Sequence, residues 1–485
     1  MPKSTLKGCI SGQVRSNKNN HNRGSDMKER VSSGIPGLDQ ILNGGLLPST
    51  AVLVRGGPGL GKTTTGLQFL SAASQEGESL FIGFQEAEEQ LKTNATAIGI
   101  DVSNITFLSL APDDSFFKEH ESYDIFASTD VEHEPVTKAI VDTIEALKPT
   151  RVFVDSFTHL RFLTADVFQY RKEVLSFINY LTERGATVLF TSEHSDSSPD
   201  DDLRFLSDGV ISLKQTPMGQ EICVEKFRGS DFLKGSHQMR NGAHGVEVFP
   251  RPLPPNEELV PGRFEPISTG IASIDNLLGG GLEMGTVTMI TGPSGIGKST
   301  LSSCIAEQFS HSLGHVNIYL FEEEISSYLH RARQLNIALQ HQAEAERLTI
   351  EQIEPLQYLA DEFASKVYKD VVQNNTRLVV LDSTAGFKMT LREESIQNRL
   401  HALAKGLSRI NVSVILVNET FALYGEDSIS EKGISYLSDT IISLSYYADD
   451  TTHSQISVMK KRLSDFDRKP HQYLIGPDKV QAVAV

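Results

Sequence analysis

The sequence predicts an α/β protein built from two doubly wound, mostly parallel sheets. Short, continuous apolar runs such as "TAVLVRG" and "RVFVD" alternate with longer helical stretches, and such runs are typical of strands buried on both faces. An internal repeat supports a tandem arrangement, because "GIPGLDQILNGG" near the start returns as "GIASIDNLLGGG" in the second half. A length of 485 residues accommodates two such units.

The repeat also sets the domain boundaries. Lys62 and Lys298 stand 236 residues apart (298 − 62), and Lys226 and Lys460 stand 234 apart (460 − 226), so the halves stay nearly in register. Between them lies "FPRPLPPNEELVPGRF", a proline-rich stretch that suits a semi-rigid linker. The sequence therefore predicts a first domain, a linker, a second domain and a short C-terminal tail, at residues 29–248, 249–263, 264–475 and 476–485.

Residues 1–28 differ in composition from everything that follows. They are rich in lysine, arginine, asparagine, serine and glycine and have few apolar residues, which predicts a disordered basic tail. Met27 directly precedes the sequence that is typical of a folded domain and is a second candidate start. The tail has no apolar core behind its charges, so a secretory signal is not expected.

Composition argues against several classes of protein. The formal net charge of −17 disfavours a protein whose main task is coating nucleic acid, because such binding needs a basic surface. No run of about 18 uncharged apolar residues occurs, so no membrane-spanning helix is expected. Three widely spaced cysteines, Cys9, Cys223 and Cys304, form neither a disulfide framework nor a zinc pattern. Together these observations predict a protein of the reducing cytoplasm.

A glycine-rich motif follows the first predicted strand of each half. The pattern G-x-x-x-x-G-K-[ST] occurs at Gly56–Thr63 and again at Gly292–Ser299. Its glycines let backbone N–H groups turn towards a phosphate, and the helix that follows points its positive end at the same anion. Each lysine can reach the β and γ phosphates of a nucleotide. The predicted ATP-binding residues are Gly57, Gly59, Gly61, Lys62, Thr63, Thr64, Gly292, Ser294, Gly295, Gly297, Lys298, Ser299 and Thr300.

An aspartate ends a later predicted strand in each half. Asp155 lies in "VFVDSF" and Asp382 in "VVLDST", each directly before a serine. A carboxylate at that place can hold Mg²⁺ through its water shell, as the second acidic element of a P-loop site requires. A strand-terminal aspartate by itself is more often a turn former, but the two loops favour a metal site. The predicted Mg²⁺ residues are Thr63, Asp155, Ser299 and Asp382.

Polar residues follow the predicted strand after each P-loop helix. The second half has Glu322 and Glu323 at this point, and the first half has Gln85 and Glu86. Both halves resemble P-loop ATPases of the RecA-like group, in which a glutamate here polarises the attacking water. A carboxylate can accept a proton, whereas an amide can only orient the water. The resemblance implies Glu86, Glu322 and Glu323 as catalytic residues and leaves hydrolysis in the first domain as an open question.

The segment at the end of each domain makes the resemblance specific. "KFRGSDFLKGSHQMRNGAHGVEVFP" and the more divergent "MKKRLSDFDRKPHQYLI" resemble the KaiC family of circadian clock ATPases, which are two RecA-like domains in tandem. The resemblance covers about residues 30–475 and implies an ATP-hydrolysing homohexamer. It implies that a Lys-x-Arg pair of each domain reaches a neighbour's ATP, where arginine offers a fixed charge and a planar donor fork. These residues are Lys226, Arg228, Lys460 and Arg462.

The resemblance further implies autophosphorylation in the second domain. Family members carry adjacent serine and threonine phosphorylation sites directly before a strand that matches "SDTIISL". Here Ser435 and Tyr436 take those positions, and Ser430 falls on a nearby family threonine. Ser435 is therefore the first candidate and Ser430 and Tyr436 are weaker ones; the tyrosine argues against a two-site cycle. Phosphate would add about two negative charges at a predicted subunit boundary, which would suit a switch.

Three functions remain open at this point. The first is a KaiC-like ATPase and autokinase that works as a timing or signalling switch, with a KaiB-like protein as a candidate partner. A KaiA-like partner is not expected, because the chain ends at "IGPDKVQAVAV" without the longer tail that such a partner grips in the family. The second is a RecA-like recombinase or helicase, disfavoured by the acidic charge and the lack of a basic, aromatic-interleaved loop. The third is a nucleotide-gated scaffold with little catalysis.

Overall fold

The computed structural model describes most of the chain, in two compact units. The described residues are 29–73, 78–110, 130–158, 167–193, 200–217, 219–251, 264–391, 396–420, 436–448, 452–477 and 479–484. The division between the units falls between residues 251 and 252, within the segment predicted as the linker. The predicted basic tail, residues 1–28, lies outside the described residues.

The described residues of the first unit form a nine-stranded sheet with helices between its strands. The strands are β1 (Ala51–Gly56), β2 (Ser79–Gly83), β3 (Ile105–Ser109), β4 (Arg151–Asp155), β5 (Thr187–Glu193), β6 (Gly209–Thr216), β7 (Gly219–Phe227), β8 (Ser236–Gly242) and β9 (Gly245–Phe249). The helices are α1 (Pro36–Ile41), α2 (Lys62–Ser71), α3 (Glu88–Ala97), α4 (Asp130–Leu147), α5 (Val167–Glu183) and α6 (Asp201–Leu206). The strand order is β3-β2-β4-β5-β1-β6-β7-β8-β9. The first six of these are parallel and the last three continue antiparallel.

The parallel part of this sheet is buried on both faces. Val52, Leu53 and Val54 in the central strand β1 are fully buried. Their side chains alternate between two cores: Val52 and Val54 lie in the core that contains Leu67 of α2, and Leu53 in the one that contains Val174 of α5. Continuous apolar strands with helices on both faces are what the sequence predicts, so the doubly wound α/β fold is confirmed.

The second unit repeats this plan. Its strands are β10 (Pro266–Ile267), β11 (Leu282–Glu283), β12 (Val287–Gly292), β13 (His315–Leu320), β14 (Leu348–Gln352), β15 (Thr376–Asp382), β16 (Ser413–Glu419), β17 (Thr440–Ala448), β18 (Thr452–Lys461), β19 (His471–Gly476) and β20 (Lys479–Ala484). Its helices are α7 (Ala272–Leu277), α8 (Lys298–Ser312), α9 (Ile325–Gln334), α10 (Leu339–Glu344), α11 (Ala360–Asn374), α12 (Thr384–Leu391) and α13 (Ile396–Arg409). The main sheet has the order β14-β13-β15-β16-β12-β17-β18-β19-β20, equivalent to that of the first unit, and β10 pairs with β11 separately.

The second sheet extends beyond residue 475, where the sequence analysis ends the domain. β20 pairs antiparallel with β19, from Lys479 beside Gly476 to Ala484 beside His471. Val480 and Ala482 alternate into the core. The prediction of a tail at 476–485 is therefore corrected, since 479–484 are the edge strand. Small apolar residues at the end of the chain gave too weak a period-two pattern to distinguish a strand from a tail.

The topology brings the ends of the parallel strands to one edge of each sheet. Gly56 at the end of β1 lies beside Glu193 on one side and Leu213 on the other. In the second unit Gly292 lies beside Glu419 in the same way. Ligands of doubly wound sheets bind beyond this carboxyl edge. Each P-loop therefore starts where the fold is built to hold a ligand.

Two candidate ATP sites at the carboxyl edges of the sheets

Each glycine-rich loop leads from the central strand into a helix. α2 and α8 begin at the motif lysine, after a glycine in the left-handed region, with φ of 86° at Gly61 and 102° at Gly297. A side chain at Gly297 would also be crowded, since its Cβ would lie 2.3 Å from Ile475 Cδ1. The helix N-termini thus face the carboxyl edge, where their N–H groups can bind phosphate. The remaining predicted phosphate-binding residues lie in these loops or first helical turns: Gly57, Gly59, Thr64, Ser294, Gly295 and Thr300.

The lysine of each motif folds back over its own loop. Lys62 Nζ donates to the carbonyl oxygens of Gly56 at 2.8 Å and Gly57 at 2.9 Å. Lys298 Nζ donates to the carbonyl oxygen of Pro293 at 2.8 Å. Both ammonium groups therefore lie where they can meet the β and γ phosphates of a nucleotide bound by the loop.

Lys298 lies among carboxylates, one of which the sequence analysis did not select. Burial lowers the pKa of Lys298, and the charges of Glu419, Asp382 and Glu322 act in the opposite direction. Glu419 is the missed residue: it ends β16, directly beside the first glycine of the loop. Its signal was the carboxylate at the end of "VSVILVNE", the same kind of position that singled out Asp382.

A hydroxyl from the start of each P-loop helix meets the aspartate at the end of a neighbouring strand. Thr63 Oγ1 donates to Asp155 Oδ2 at 2.6 Å, although the two residues are 92 apart in sequence. Ser299 makes the corresponding hydrogen bond to Asp382. Thr191 of β5 donates to the other oxygen of Asp155 at 2.5 Å, a partner that the sequence analysis missed. The structure thus brings the predicted Mg²⁺ residues together in pairs.

Asp382 has the properties of a cation ligand. Its burial raises the pKa of the carboxyl group to about 6, against the lowering effect of the Ser299 hydrogen bond and the charge of Arg331. Among the described residues, nothing hydrogen-bonds to the buried Asp382 Oδ2. A carboxylate oxygen and a hydroxyl fit Mg²⁺, which prefers oxygen ligands and keeps several waters. The described residues contain no cluster of three or more His, Cys, Asp or Glu side chains that could hold a metal ion.

The two glutamates after β13 are held in different ways. Glu322 Oε1 accepts a hydrogen bond from Ser383 Oγ at 2.5 Å, so the serine after the strand-end aspartate fixes this carboxylate. Glu323 instead forms an ion pair with Arg331 of α9 at 2.8 Å. Gly386 makes room for the arrangement, because a Cβ there would lie 2.8 Å from Glu322 Cγ. Among the described contacts of this loop, Glu323 is thus held by an ion pair and Glu322 by a hydroxyl, which leaves the Glu322 carboxylate able to accept a proton.

The loops after β2 and β13 start at equivalent points. In each domain the phenylalanine after the strand donates its N–H to the carbonyl of the strand-end aspartate: Phe84 to Asp155 at 3.1 Å, and Phe321 to Asp382 at 2.9 Å. The helices that follow begin four residues after each phenylalanine, at 88 (88 − 84) and 325 (325 − 321). The alignment of the two loops is therefore unambiguous.

Gln85 occupies the position of Glu322, and Glu86 that of Glu323. Both Gln85 and Glu86 are exposed at the carboxyl edge. The carbonyl oxygen of Glu86 accepts a hydrogen bond from Ser109 Oγ at 3.0 Å, which fixes its backbone. The first domain thus has an amide where the second has its serine-held carboxylate.

The first predicted trans pair lies far from its own loop. Arg228 N donates to the carbonyl of Asp208 at 2.9 Å, and the carboxylate of Asp208 accepts from Ala51 N at 3.0 Å. Arg228 therefore lies at the amino end of β1, whereas Gly56 ends that strand five residues later, about 16 Å along it. Lys226 points to the C-terminal end of α6, where it donates to carbonyl oxygens.

The second pair has the same placement. Arg462 N donates to the carbonyl of Asp439 at 3.1 Å, and Asp439 Oδ2 accepts from Val287 N at 3.1 Å, at the start of β12. Lys460 Nζ donates to the carbonyl of Ser438 at 2.8 Å. Both pairs thus lie at the edge opposite their own P-loop, and their action on a neighbour's ATP stays a prediction.

The candidate phosphorylation sites are only partly described. Ser430 and Ser435 lie outside the described residues. Tyr436 is half-exposed, and its ring centroid lies 5.3 Å from that of His401 on α13. The choice among these hydroxyls stays a prediction.

Two P-loops with paired hydroxyl and aspartate side chains define a P-loop nucleotide-binding protein with two sites in one chain. A family profile described as "ATPase: KaiC" matches residues 31–252 and again residues 267–484. The chain belongs to the KaiC ATPase family, so the two RecA-like domains and nucleotide binding are confirmed.

The family's curated members resemble the chain over nearly its whole length. The circadian clock oscillator protein KaiC of Synechococcus elongatus is 24% identical over 96% of this chain and 92% of its own length. The protein of the same name from Parasynechococcus marenigrum is 23% identical over 92% and 89%. The circadian clock protein KaiC2 of Synechocystis is 25% identical over 94% and 81%.

Proposed function

We propose that this protein hydrolyses ATP as a ring of six copies and transfers phosphate to a serine of its own second domain, as a timing or signalling switch. The observation that carries the proposal is the Glu322 carboxylate, which Ser383 holds beside the aspartate and lysine of the second P-loop. The names of the relatives, which are clock proteins, supply the timing role.

The residues of the second domain divide the reaction between them. The loop N–H groups and Lys298 bind the phosphates, while Ser299 and Asp382 would hold Mg²⁺, which would neutralise charge that develops on the phosphates. Glu322 accepts the proton of the attacking water or hydroxyl, and the hydrogen bond from Ser383 keeps its carboxylate oriented. Glu323, paired with Arg331, is the weaker candidate base.

The position of the basic pairs supports the proposed ring. Lys226 and Arg228, like Lys460 and Arg462, project at the edge of the sheet that is opposite their own P-loop. Arginine at that edge can stabilise the γ phosphate of a second copy, whose carboxyl edge would face it. A head-to-tail contact of this kind closes into a ring when its rotation allows, and six copies is the family's number.

Phosphate transfer to Ser435 is supported by its place in the chain. Ser438, three residues later (438 − 435), accepts a hydrogen bond from Lys460, a member of the second basic pair. Ser438 therefore lies at the edge that would meet the neighbour's ATP. Glu322 of that neighbour would then take the proton of the serine hydroxyl, because a carboxylate can serve a water or a hydroxyl alike.

The family comparison also suggests a protein partner. A KaiB-like protein is the partner that we propose, and nucleic acid is disfavoured by the net charge of −17. Among the described helices, none has the length and apolar character needed to cross a bilayer. The reducing cytoplasm stays a prediction from the cysteine pattern.

The test combines three measurements on the full chain. ATP turnover with and without single-stranded DNA, intact mass after incubation with ATP, and native mass would together separate the candidate functions. The proposal expects DNA-independent turnover, a six-copy assembly in ATP, and added phosphate that is lost in Ser435→Ala. Strong DNA stimulation without phosphoprotein would favour a motor, and ATP-dependent rings without turnover or phosphoprotein would favour a scaffold.

A further inference from the structure

Arg55 is a partly buried cation directly before the first P-loop. It is the residue of β1 that precedes Gly56, and its side chain is 13% exposed. Its Nε and Nη2 each donate to one carboxylate oxygen of Asp200 at 2.8 Å, a two-pronged pair in which the Asp200 side chain is 2% exposed. Ser192 Oγ donates to the same carboxylate at 2.8 Å. Loss of the arginine would leave a buried carboxylate without its cation.

The helix that follows Asp200 leads directly to the first basic pair. Asp200 is the residue before α6, so Arg55 holds the start of this helix. At the other end, Lys226 Nζ donates to the carbonyls of Arg204 at 2.9 Å and Ser207 at 2.5 Å. Six residues of helix span only about 9 Å, so a shift of the start of α6 moves the carbonyls that hold Lys226.

A second contact joins the same residues through Glu225, the neighbour of Lys226 in β7. Arg55 Nη1 lies 3.8 Å from Glu225 Oε2, and Arg204 Nη2 donates to that oxygen at 3.1 Å. Ser212 Oγ donates to Glu225 Oε1 at 2.6 Å. Two sets of polar contacts thus connect the end of β1, beside the P-loop, with β7, which carries Lys226. One runs through Asp200 and α6, and the other through Glu225.

The second domain has no charge at the equivalent position. Thr291 precedes Gly292 there, and its Oγ1 accepts a hydrogen bond from Asn418 Nδ2 at 3.2 Å. The second basic pair is held by the two residues directly before β17, Ser438 and Asp439. The comparison shows that a P-loop strand does not need an arginine at this place to form its site.

We propose that Arg55 is a positioning residue, which through Asp200, α6 and Glu225 sets the Lys226–Arg228 pair for the ATP of the neighbouring copy. The inference rests on the proposed completion of each site in trans. It predicts that Arg55 serves the neighbour's site rather than the loop that it adjoins. A residue with a merely local structural role would damage its own site.

Rings assembled from two types of chain distinguish an effect of Arg55 on the neighbour's site from an effect on its own site. All chains carry Asp382→Asn, so that turnover reports the first site, and two types are assembled in equal amounts. One type carries Arg55→Thr, which installs the residue of the second domain, and the other carries Asp155→Asn, which disables its own site but keeps Arg55. Each type alone should turn over at least about ten times more slowly than the parent. The mixture should recover about a quarter of the parent rate, because half of the sites are intact and half of those meet an intact neighbour.

Two further mixtures serve as controls for this experiment. Arg228→Ala replaces Arg55→Thr in a parallel mixture, which tests completion in trans by itself. If neither mixture recovers, the proposed trans site is wrong; if only the Arg228→Ala mixture recovers, the role of Arg55 is overturned. Arg55→Lys, which keeps a cation in the buried pair, is measured in the same mixture in case Arg55→Thr does not fold. Recovery of turnover in the mixture that contains Arg55→Lys supports the proposal. Unchanged turnover of the unmixed Arg55→Lys chain would contradict it, because the two-pronged pair with Asp200 would then not be needed.

Discussion

The two domains share their phosphate loops but differ in the carboxylate that would activate water. In the second domain Glu322 accepts a hydrogen bond from Ser383, and Glu323 is paired with Arg331. In the first domain the equivalent residues are Gln85 and Glu86, which are exposed, as Glu322 is. Binding and hydrolysis of ATP are therefore expected to depend on separate sets of residues. Both domains have the first set, whereas the serine-held Glu322 of the second domain has an amide, Gln85, as its counterpart in the first.

The largest expected effect is on ATP-dependent assembly, which should depend more on the first P-loop than on the second. A site that binds ATP and hydrolyses it slowly keeps the nucleotide in place as a structural ligand, so the first domain is the better anchor for a ring. Lys62→Ala should therefore weaken ATP-dependent assembly by at least about ten-fold, and Lys298→Ala by much less. Native mass over a range of ATP concentrations measures this, and the same oligomers for both variants would contradict it.

The second prediction removes the proposed base. Glu322→Gln keeps the shape of the side chain but cannot accept a proton, so turnover at the second site should fall about 100-fold. The measurement uses chains with Asp155→Asn, in which the first site is silenced. Glu323→Gln is the matched control and should cost only a few-fold. A larger loss for Glu323→Gln would transfer the role of base to that residue.

The third prediction restores the carboxylate in the first domain. Gln85→Glu should raise turnover at the first site about ten-fold, because a proton acceptor replaces an amide that can only orient water. Chains with Asp382→Asn report this site alone. No rise would mean that Glu86 already acts as the base.

The smallest effect concerns the arginine on α9. Arg331 stands nine residues after Glu322 (331 − 322), and Asn94 stands nine after Gln85 (94 − 85). The Arg331–Glu323 pair is partly exposed, at 36% and 30%, so it contributes about 0.2–1 kcal/mol. Arg331→Asn should lower turnover at the second site only about two- to five-fold. Asn94→Arg is the reverse exchange and should leave the first site unchanged; a loss above ten-fold for Arg331→Asn would give that residue a direct role.

The repeat made the two loops and the strand-end acids predictable from sequence. Thr63 and Asp155 meet although they lie 92 residues apart, because each belongs to a motif with a fixed place on a doubly wound sheet. Predictions of this kind need only the order of strands and helices. The fold class was accessible for the same reason.

The contacts that distinguish the domains could not be predicted in this way. Ser383 meets Glu322 across 61 residues, and Arg55 meets Asp200 across 145, with no pattern that links either pair. Such contacts depend on which loop ends adjoin in space and on side-chain direction. The edge strand β20 was missed because its alternation of small residues is too short for a periodic signal.

The most direct test compares the two sites within otherwise identical chains. ATP turnover is measured at saturating ATP for Asp155→Asn, in which only the second site is intact, and for Asp382→Asn, in which only the first is. The serine-held glutamate predicts that Asp155→Asn turns over at least about ten times faster than Asp382→Asn. Equal rates, or a faster Asp382→Asn chain, would contradict the claim that Glu322 distinguishes the two sites.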